Sequence, residues 1–262
     1  MVAHEIIQSR QNTKIKLWRK LLTAKGRKQQ GHFLIEGTHL VEEALKYAQR
    51  FVELLVTPEY LESSEWSLLA KYLPVNLQPV LVAADVLKSL SATETHQGVI
   101  AVLDLPKKIE SWQPNGSKYL LLDSVQDPGN LGTMIRTADA AGFDGVLLGQ
   151  VTVDVYNDKV LRATQGSIWH LEVISISLDK AYDALKAVAI PIYATALHQT
   201  AIEYHSITEI SKAAIVMGNE GAGVAQKWIE LADQAIYIPM PGQAESLNVA
   251  VAAGILMFKF AS

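Results

Sequence analysis

Short apolar runs alternate with helix-like stretches along the second half of the chain, and this alternation constrains the fold more than any other feature. The apolar runs read as buried strands and lie at 119–125, 145–149, 171–176, 189–194, 213–217 and 235–240. Helical stretches separate several of them, around 130–141, 157–166, 179–188 and 224–231. Such alternation is typical of a mostly parallel sheet with helices on both faces. The sequence therefore predicts an α/β fold.

A linker-like stretch separates this region from a smaller one. The segment DLPKKIESWQPNGSK (104–118) contains two prolines, a glycine and few apolar residues. Ahead of it, EGTHLVEEALKYA has apolar residues at helical spacing, and FVELLVT, NLQPVLVA and HQGVIAVLDL are strand candidates. We therefore predict a smaller N-terminal α/β domain at 1–106, a linker at 107–117 and a larger domain at 118–262.

Composition excludes several classes of protein and site. With 49% hydrophobic and 19% charged residues, the chain has enough apolar side chains to bury a core. Its longest apolar run, Val249 to Phe258, is too short to span a bilayer, and the N-terminus lacks the apolar segment of a signal peptide. We therefore expect a cytoplasmic protein that does not bind membranes. The absence of cysteine and of close histidine spacing also argues against disulfides and a metal site.

The positive charge is concentrated at the N-terminus, although the formal net charge is −4. The first thirty residues hold one acid, Glu5, and the basic residues Arg10, Lys14, Lys16, Arg19, Lys20, Lys25, Arg27 and Lys28. This segment can be a phosphate-binding surface. It can equally be the solvated face of an amphipathic helix whose apolar residues pack inward, namely Ile15, Leu17, Trp18, Leu21 and Leu22. The charge pattern leaves both interpretations open.

The first of three turn-rich segments in the larger domain is DPGNLGTMIR (127–136). Asn130 is expected to cap the helix that follows. Arg136 lies inside that otherwise apolar helix, where a buried or half-buried guanidinium needs an anionic partner. A phosphate is one candidate, and a salt bridge to Asp139 or Asp144 is the other.

The second segment, AAIVMGNEGAGV (213–224), is a strand that runs into Gly218, Gly221 and Gly223. Glycines at this place expose backbone N–H groups to a ligand. The spacing matches neither the P-loop nor the dinucleotide fingerprint, and Glu220 suits a ligand with positive charge or hydroxyl groups. An ordinary strand–helix turn is the alternative.

The third segment, YIPMPGQAESLNVAVAAG (237–254), cannot continue a strand because of its prolines and Gly242. We expect a loop and then a helix that begins near Ser246 or Leu247. Capping explains Ser246 but does not readily explain Asn248. The final helix is apolar almost all round, so it must be buried in the core or against another subunit.

Together and in this order, the three segments resemble the signature motifs of the SpoU (TrmH) family of RNA ribose 2′-O-methyltransferases, in the SPOUT superfamily. The matching residues are Asn130-x-Gly132 with Arg136, Gly218-x-Glu220-x-x-Gly223, and Ile238-x-Met240-x-Gly242 followed by Ser246-Leu247-Asn248. The smaller domain resembles the family's substrate-recognition module, a fold related to a ribosomal RNA-binding protein, through GHFLIEGTHLVEEAL (31–45) and THQGVIAVL (95–103). One departure is RATQGS (162–167), where members commonly carry a serine and a small residue at Thr164 and Gln165.

The resemblance implies a catalytic domain with a C-terminal trefoil knot, S-adenosylmethionine as the cofactor, and a homodimer packed through the C-terminal helices. It implies that the cofactor contacts Gly218, Asn219, Gly223, Ile238, Met240 and Leu247. It also implies that the catalytic residues are Asn130, Arg136, Glu220, Ser246 and Asn248. The family's usual proposal makes the arginine a base, but a guanidinium pKa above about 12 argues against this role. We expect Arg136 to hold a substrate phosphate and orient the hydroxyl.

The implied reaction is methyl transfer from S-adenosylmethionine to a ribose 2′-hydroxyl of RNA. Ribosomal RNA is favoured over transfer RNA, because members that act on ribosomal RNA often carry the N-terminal module. One alternative is a transfer RNA 2′-O-methyltransferase with an added domain. Another is a non-catalytic RNA-binding or ribosome-assembly factor on the same scaffold, although such a protein does not need a complete pocket. A nucleotide-dependent dehydrogenase is disfavoured by the lack of a glycine fingerprint after an early strand.

Overall fold

The computed structural model describes residues 6–109, 111–197, 199–208 and 210–261, which form two compact units. The N-terminal unit combines Met1–Lys107 with Tyr156–Trp169, and the C-terminal unit combines Lys108–Val155 with His170–Ser262. A segment that follows the linker in sequence therefore groups with the N-terminal unit. The domain boundaries at 106 and 118 stay a prediction.

Both units contain helices and strands. In chain order up to the linker, the elements are α1 (Thr13–Lys20), α2 (Ala24–Gln30), β1 (His32–Glu36), α3 (Thr38–Lys46), β2 (Phe51–Val56), α4 (Pro58–Leu61), α5 (Ser64–Leu69), β3 (Pro79–Leu81), α6 (Ala84–Lys88) and β4 (Val99–Asp104). The elements that follow are β5 (Lys118–Leu122), α7 (Pro128–Ala140), β6 (Gly145–Leu148), α8 (Asp158–Thr164), β7 (Glu172–Ser175), α9 (Leu178–Ala187), β8 (Ile192–Thr195), β9 (Ile202–Glu203), β10 (Ala213–Met217), α10 (Gln226–Leu231), β11 (Gln234–Tyr237) and α11 (Val249–Ala261).

The sheet of the N-terminal unit has the strand order β1-β4-β2-β3. Ile15, Trp18 and Leu21 pack into a core with residues of β2 and β4, as the amphipathic pattern predicts. The expectation that Leu17 and Leu22 pack inward is wrong, because these side chains are 43% and 40% exposed. At about 100° per residue, Leu17 points almost opposite to Ile15, and Leu22 lies beyond the end of α1.

The sheet of the C-terminal unit has the order β7-β6-β5-β10-β8-β11-β9, and each of its neighbouring pairs is parallel. β10 lies between β5 and β8, although it follows both in the chain, and β11 lies between β8 and β9. The three motif segments follow β5, β10 and β11. They therefore leave the same edge of the sheet, next to the point where the strand order reverses, which is where open α/β sheets hold ligands.

The final helix, α11, packs against α7 and β10, and its buried residues include Ala253, Leu256 and Met257. Its other side exposes Val251 and Phe258. The helix therefore buries one apolar face in its own unit and presents a second one to solvent. Within the part of the chain that the structure describes, every helix is too short or too polar to cross a membrane.

Candidate active site

The first motif segment connects β5 to α7. The helix begins at Pro128, and the side chain of Asp127 caps it by accepting the backbone N–H of Asn130 at 2.8 Å. The prediction that Asn130 is the cap is therefore wrong. Proline is favoured in the first turn of a helix and aspartate directly before it, so the helix starts earlier than expected. This leaves the side chain of Asn130 available for other contacts.

Glu220, in the second segment, joins its loop to the first one. Its Oε1 accepts hydrogen bonds from Asn130 Nδ2 and the Asp127 backbone N–H, both at 3.1 Å, and its Oε2 accepts the Gln126 N–H at 3.2 Å. Burial raises the pKa of Glu220, but the hydrogen bonds from Asn130, Asp127 and Gln126 outweigh burial and hold the pKa below its ordinary value. The carboxylate is therefore ionised at neutral pH and committed to these donors.

Asn248, in the third segment, completes a chain of side-chain contacts. Its Nδ2 donates to Asn130 Oδ1 at 2.9 Å, and its Oδ1 accepts the backbone N–H groups of Ala250 at 2.9 Å and Val251 at 3.3 Å. A carboxylate can only accept, so Glu220 fixes the orientation of the Asn130 amide, which in turn fixes that of Asn248. The three motif segments are thus joined by two side-chain hydrogen bonds, one from Asn248 to Asn130 and one from Asn130 to Glu220.

The same contacts correct the predicted start of the last helix. α11 begins at Val249 rather than near Ser246 or Leu247, and Asn248 is the residue that caps it. Asn248 therefore has both a capping role and a role in linking α11 to α7, and capping does explain part of its presence. Ser246 lies in the exposed loop before the helix.

The glycine loop of the second segment is folded tightly on itself. A Cβ atom on Gly218 would lie 2.0 Å from the carbonyl carbon of Gly223, so only glycine fits there. Asn219 and Gly223 exchange backbone hydrogen bonds, and Gly223 has a φ of +72°. The side chain of Asn219 accepts the Gly221 N–H at 2.9 Å and donates to the Ser124 carbonyl at 3.0 Å. The loop is therefore shaped by its own contacts.

A cleft of about 430 Å³ lies between the glycine loop and the third segment. Its size is within the range of small-molecule sites. The predicted site residues that line it are Gly218, Asn219, Glu220, Gly223, Ile238, Met240, Ser246 and Leu247. Asn130 and Asn248 are not among its lining residues but hold Glu220 and the start of α11 beside it.

Sequence reasoning missed a fourth wall of this cleft, formed by Thr195, Ala196 and Leu197 at the end of β8. β8 lies between β10 and β11 in the sheet, so its carboxyl end faces the same side as the motif segments. The apolar run at 189–194 gave a signal for this strand. No signal in the sequence predicted the strand order, which is what places this strand beside the cleft.

Arg136 is exposed on α7 rather than buried or half-buried. Within the described residues its guanidinium makes no ion pair or hydrogen bond. The two acids proposed as partners have other contacts: Asp139 contacts His170 at 2.7 Å, and Asp144 accepts the backbone N–H of Ser117 at 2.7 Å. The salt-bridge interpretation is therefore wrong, and the guanidinium is available to an external anion.

A larger cavity, of about 780 Å³, lies in the N-terminal unit and contains none of the three motifs. Glu42, Glu59 and Glu65 line it together with Tyr60 and His96. Three carboxylates make it a poor site for phosphate. The smaller cleft, in which the motif segments meet, is therefore the candidate active site.

Comparison with known proteins agrees with this geometry. The profile of the SpoU rRNA Methylase family matches residues 117–258, and that of the MRM3-like substrate binding domain matches residues 12–101. The chain belongs to the SpoU rRNA methylase family. The resemblance seen in the motifs is thereby confirmed, and so is the α/β fold with an N-terminal substrate-binding domain.

Relatives of this SpoU protein match both of its domains. The "23S rRNA (guanosine(2553)-2'-O)-methyltransferase RlmP" of Bacillus subtilis is 46% identical over 96% of this chain and 97% of its own length. The "23S rRNA (uridine(2479)-2'-O)-methyltransferase" of Streptomyces viridochromogenes is 29% identical over 95% of this chain and 89% of its own. The AdoMet-bound rRNA methyltransferase of Sinorhizobium meliloti superposes with a TM-score of 0.86, at 30% identity, and covers 97% of this chain and 96% of its own.

This SpoU protein is therefore an S-adenosylmethionine-dependent RNA ribose methyltransferase, and the non-catalytic and dehydrogenase alternatives are rejected. The residues of the cleft fit the cofactor. Apolar side chains such as Ile238 and Leu247 line it, as the adenine ring of the cofactor would require, and Gly218 has no side chain that would keep a ligand away from its backbone. The carboxylates of Glu220 and Glu245 also line the cleft and suit a cationic ligand.

Proposed function

We propose that this SpoU methyltransferase modifies a ribose 2′-hydroxyl in the ribosomal RNA of the large subunit. One observation carries the proposal: two relatives that match both domains over most of their own length, those of Bacillus subtilis and Streptomyces viridochromogenes, are named as 23S rRNA 2′-O-methyltransferases. The match to a substrate-binding domain at residues 12–101 supports it, because that domain is where selection of one RNA over another is expected. Transfer RNA is the competing substrate.

Mapping of 2′-O-methyl sites in cells tests the choice of RNA. Large-subunit ribosomal RNA and transfer RNA are purified from cells with and without the gene and analysed by mass spectrometry. We expect one 2′-O-methylated nucleotide to disappear from the large-subunit RNA and transfer RNA to be unchanged. Loss of a methyl group from transfer RNA alone would contradict the proposal.

The contacts of the cleft support a division of roles among the motif residues. Bound S-adenosylmethionine supplies a methyl group on a sulfonium centre. We assign its binding to Gly218, Asn219, Gly223, Ile238, Met240 and Leu247, all of which line the cleft. Asn219 acts mainly by shaping the loop, because its amide is engaged by Gly221 and Ser124.

Glu220, Asn130 and Asn248 act as positioning residues. The carboxylate of Glu220 has a lowered pKa and accepts hydrogen bonds from Asn130, Asp127 and Gln126, so it is a poor proton acceptor at neutral pH. The chain that it forms with the two asparagines fixes the three segments relative to one another. Alignment of this kind lowers the barrier for an in-line attack by a neutral hydroxyl more than charge stabilisation does.

Arg136 and Ser246 provide contacts to the RNA. The exposed guanidinium of Arg136 has the geometry and charge to hold a phosphate of the substrate. The hydroxyl of Ser246 lines the cleft and, within the described residues, has no hydrogen-bond partner. It is therefore available to contact the ribose.

A homodimer through the C-terminal domain is part of the proposal. Val251 and Phe258 form an exposed apolar face on α11, and Leu247, which lines the cleft, is also exposed. A second copy packed on this face would bury it beside the active site. A trefoil knot in the C-terminal chain, which the resemblance to the family implies, is also part of the proposal. Sedimentation at micromolar concentration tests the dimer, and a monomer would contradict it.

A further inference from the structure

The structure divides the basic residues of the N-terminal segment into two groups. Four of them have contacts within the protein: Arg10 with Asp85, Lys14 with Glu53, Arg19 with Ser89, and Arg27 with the Leu21 carbonyl. The other four are Lys16, Lys20, Lys25 and Lys28, which are exposed. Among the described residues, their ammonium groups make no ion pair or hydrogen bond. The sequence left two interpretations open for the whole segment, a phosphate-binding surface and the solvated face of a helix. The contacts separate its basic residues into four that have partners within the protein and four that do not.

Contacts between α1 and α2 hold together the two helices that carry these four lysines. A Cβ atom on Gly26 would lie 1.9 Å from the Lys20 carbonyl oxygen, so the two helices touch at this point. Arg27 is buried and donates to the Leu21 carbonyl at 2.9 Å, and Gln30 Nε2 donates to the Leu17 carbonyl at 2.9 Å. Arg27 thus belongs to the fold and is unavailable to a ligand.

Helical spacing places the lysines in two pairs. Lys16 and Lys20 are four residues apart in α1, and Lys25 and Lys28 are three residues apart in α2, so each pair lies on one side of its helix. We call these four residues the lysine face. Like charges at this spacing destabilise a helix. The spacing of these four unpaired cations is therefore not explained by stabilising side-chain pairs on the helix surfaces.

We propose that the lysine face binds the phosphate backbone of the RNA substrate. The proposal rests on the proposed function, since it takes RNA as the ligand. Charge complementarity carries it: these four unpaired cations lie on two contacting helices of a chain whose net charge is −4, and the cavity of the same unit is lined by carboxylates. Phosphate contacts by lysine are independent of sequence, so the face contributes affinity and orientation rather than choice of nucleotide.

A structural role competes with this proposal. Lys20 and Lys28 lie in the last turns of their helices, where cations interact favourably with the helix dipole. The test must therefore separate binding from stability. Glutamine is a suitable replacement, because it matches lysine in helix propensity and removes only the charge.

The test compares two full-length variants with the same change in charge. In one, Lys16, Lys20, Lys25 and Lys28 are replaced by Gln; in the other, the exposed residues Lys71, Lys107, Lys108 and Lys212 are replaced by Gln. The affinity for an unmodified 23S ribosomal RNA transcript is measured between low and moderate salt without cofactor. Each lost phosphate contact reduces the slope of log K against log salt by about 0.7 to 0.9. We expect the slope to fall by about 3 in the first variant and to stay unchanged in the second.

Equal slopes for the wild type and the lysine-face variant would overturn the proposal, and so would equal changes in both variants, which would indicate bulk charge. Melting temperature and S-adenosylmethionine affinity are measured on the same samples, and we expect the wild-type values. If the lysine-face variant melts at a lower temperature than the wild type, two single replacements outside the last turns are used instead, Lys16→Gln and Lys25→Gln. Each must lower the slope by about 0.7 to 0.9, the value for one phosphate contact. Unchanged slopes would overturn the proposal.

Methylation by the wild type keeps the two proposals distinguishable. If the wild type methylates ribosomal RNA and the lysine-face variant has the same salt slope as the wild type, this inference alone is wrong. A wild type that binds RNA through the lysine face but methylates only transfer RNA would remove the choice of ribosomal RNA alone.

Discussion

The amide of Asn248 donates to the side-chain oxygen of Asn130 at 2.9 Å, and this contact joins the start of the last helix to the start of α7. Because Asn130 in turn donates to Glu220, one line of hydrogen bonds connects segments that are far apart in the sequence. Disturbing any member is expected to misalign the walls of the cleft.

Replacing Asn248 with Asp separates its two roles. Aspartate caps a helix as well as asparagine does, so the start of α11 should be kept and the melting temperature should fall only by the few degrees that the lost contact to Asn130 costs. The donor to Asn130 is lost and two oxygens face each other, which costs about 1–3 kcal/mol at the site. We expect methyl transfer to fall by about tenfold or more. Asn157→Asp, at the cap of α8, is the matched control and should keep full activity. A normal rate for Asn248→Asp would show that capping is its whole role.

Glu220→Gln replaces an acceptor with a group that must also donate. Its amide would face the N–H groups of Asp127 and Gln126 and the amide of Asn130. We expect the S-adenosylmethionine dissociation constant, measured by calorimetry, to rise by about tenfold, since the lost charge-assisted bonds are worth about 1–3 kcal/mol. The exposed Glu230→Gln on α10 serves as control. Unchanged cofactor affinity would mean that the hydrogen bonds accepted by Glu220 do not shape the cleft.

The pH dependence distinguishes positioning by Glu220 from general-base catalysis. The pKa of Glu220 is lower in the folded protein than its ordinary 4.5, so its stabilising contacts are present above about pH 4.5 and are lost as the pH falls through the folded-state pKa. We therefore expect the profiles of log kcat/KM for the wild type and Glu220→Gln to run parallel between pH 5.5 and pH 8. An acid limb in this range that is present in the wild type and missing in the variant would assign proton transfer to this carboxylate.

Arg136→Lys keeps the positive charge and removes the planar fork that binds phosphate through two hydrogen bonds. Because the side chain has no partner among the described residues and does not line the cleft, stability and cofactor affinity should not change. We expect kcat to fall by about 100-fold, the loss typical of a misplaced substrate. The control is Arg50→Lys, another exposed arginine. A near-normal kcat for Arg136→Lys would remove the assigned role.

Two motif glycines should respond differently to alanine. At Gly218 the new Cβ would meet the Gly223 backbone at 2.0 Å, whereas at Gly242 no atom lies within 4 Å. We expect Gly218→Ala to cost about 1–3 kcal/mol of stability, as overpacking does, and to abolish cofactor binding. Gly242→Ala should stay within about 0.5 kcal/mol of the wild type in thermal denaturation. Equal effects of the two substitutions would contradict the observed loop geometry.

The sequence predicted the parts of the site that depend on local signals. Gly218 and Gly223 mark a tight loop, and the apolar run that ends at Met217 marks the strand before it. Since parallel strands end at one edge of the sheet, the meeting of three motif segments followed from local patterns and a general rule.

The remaining features depend on contacts that local patterns do not encode. The position of Thr195 beside the cleft requires the insertion of β10 and β11 on either side of β8, which is set by long-range strand pairing. The two-residue strand Ile202–Glu203 is too short to show a period. The sequence does not distinguish Asn130 from Asp127 as the cap of α7, because both residue types cap helices, and only the structure shows that Asp127 accepts the backbone N–H.

Methyl transfer by the purified protein tests the central claim, that the three motif segments form one site for ribose methylation of RNA. Unmodified 23S ribosomal RNA is incubated with S-adenosylmethionine carrying a labelled methyl group, digested to nucleosides and analysed by mass spectrometry. We predict label in a single 2′-O-methylated nucleoside, and none when Asn130→Ala protein is used. Label in a base-methylated nucleoside, or undiminished transfer by Asn130→Ala, would contradict the account.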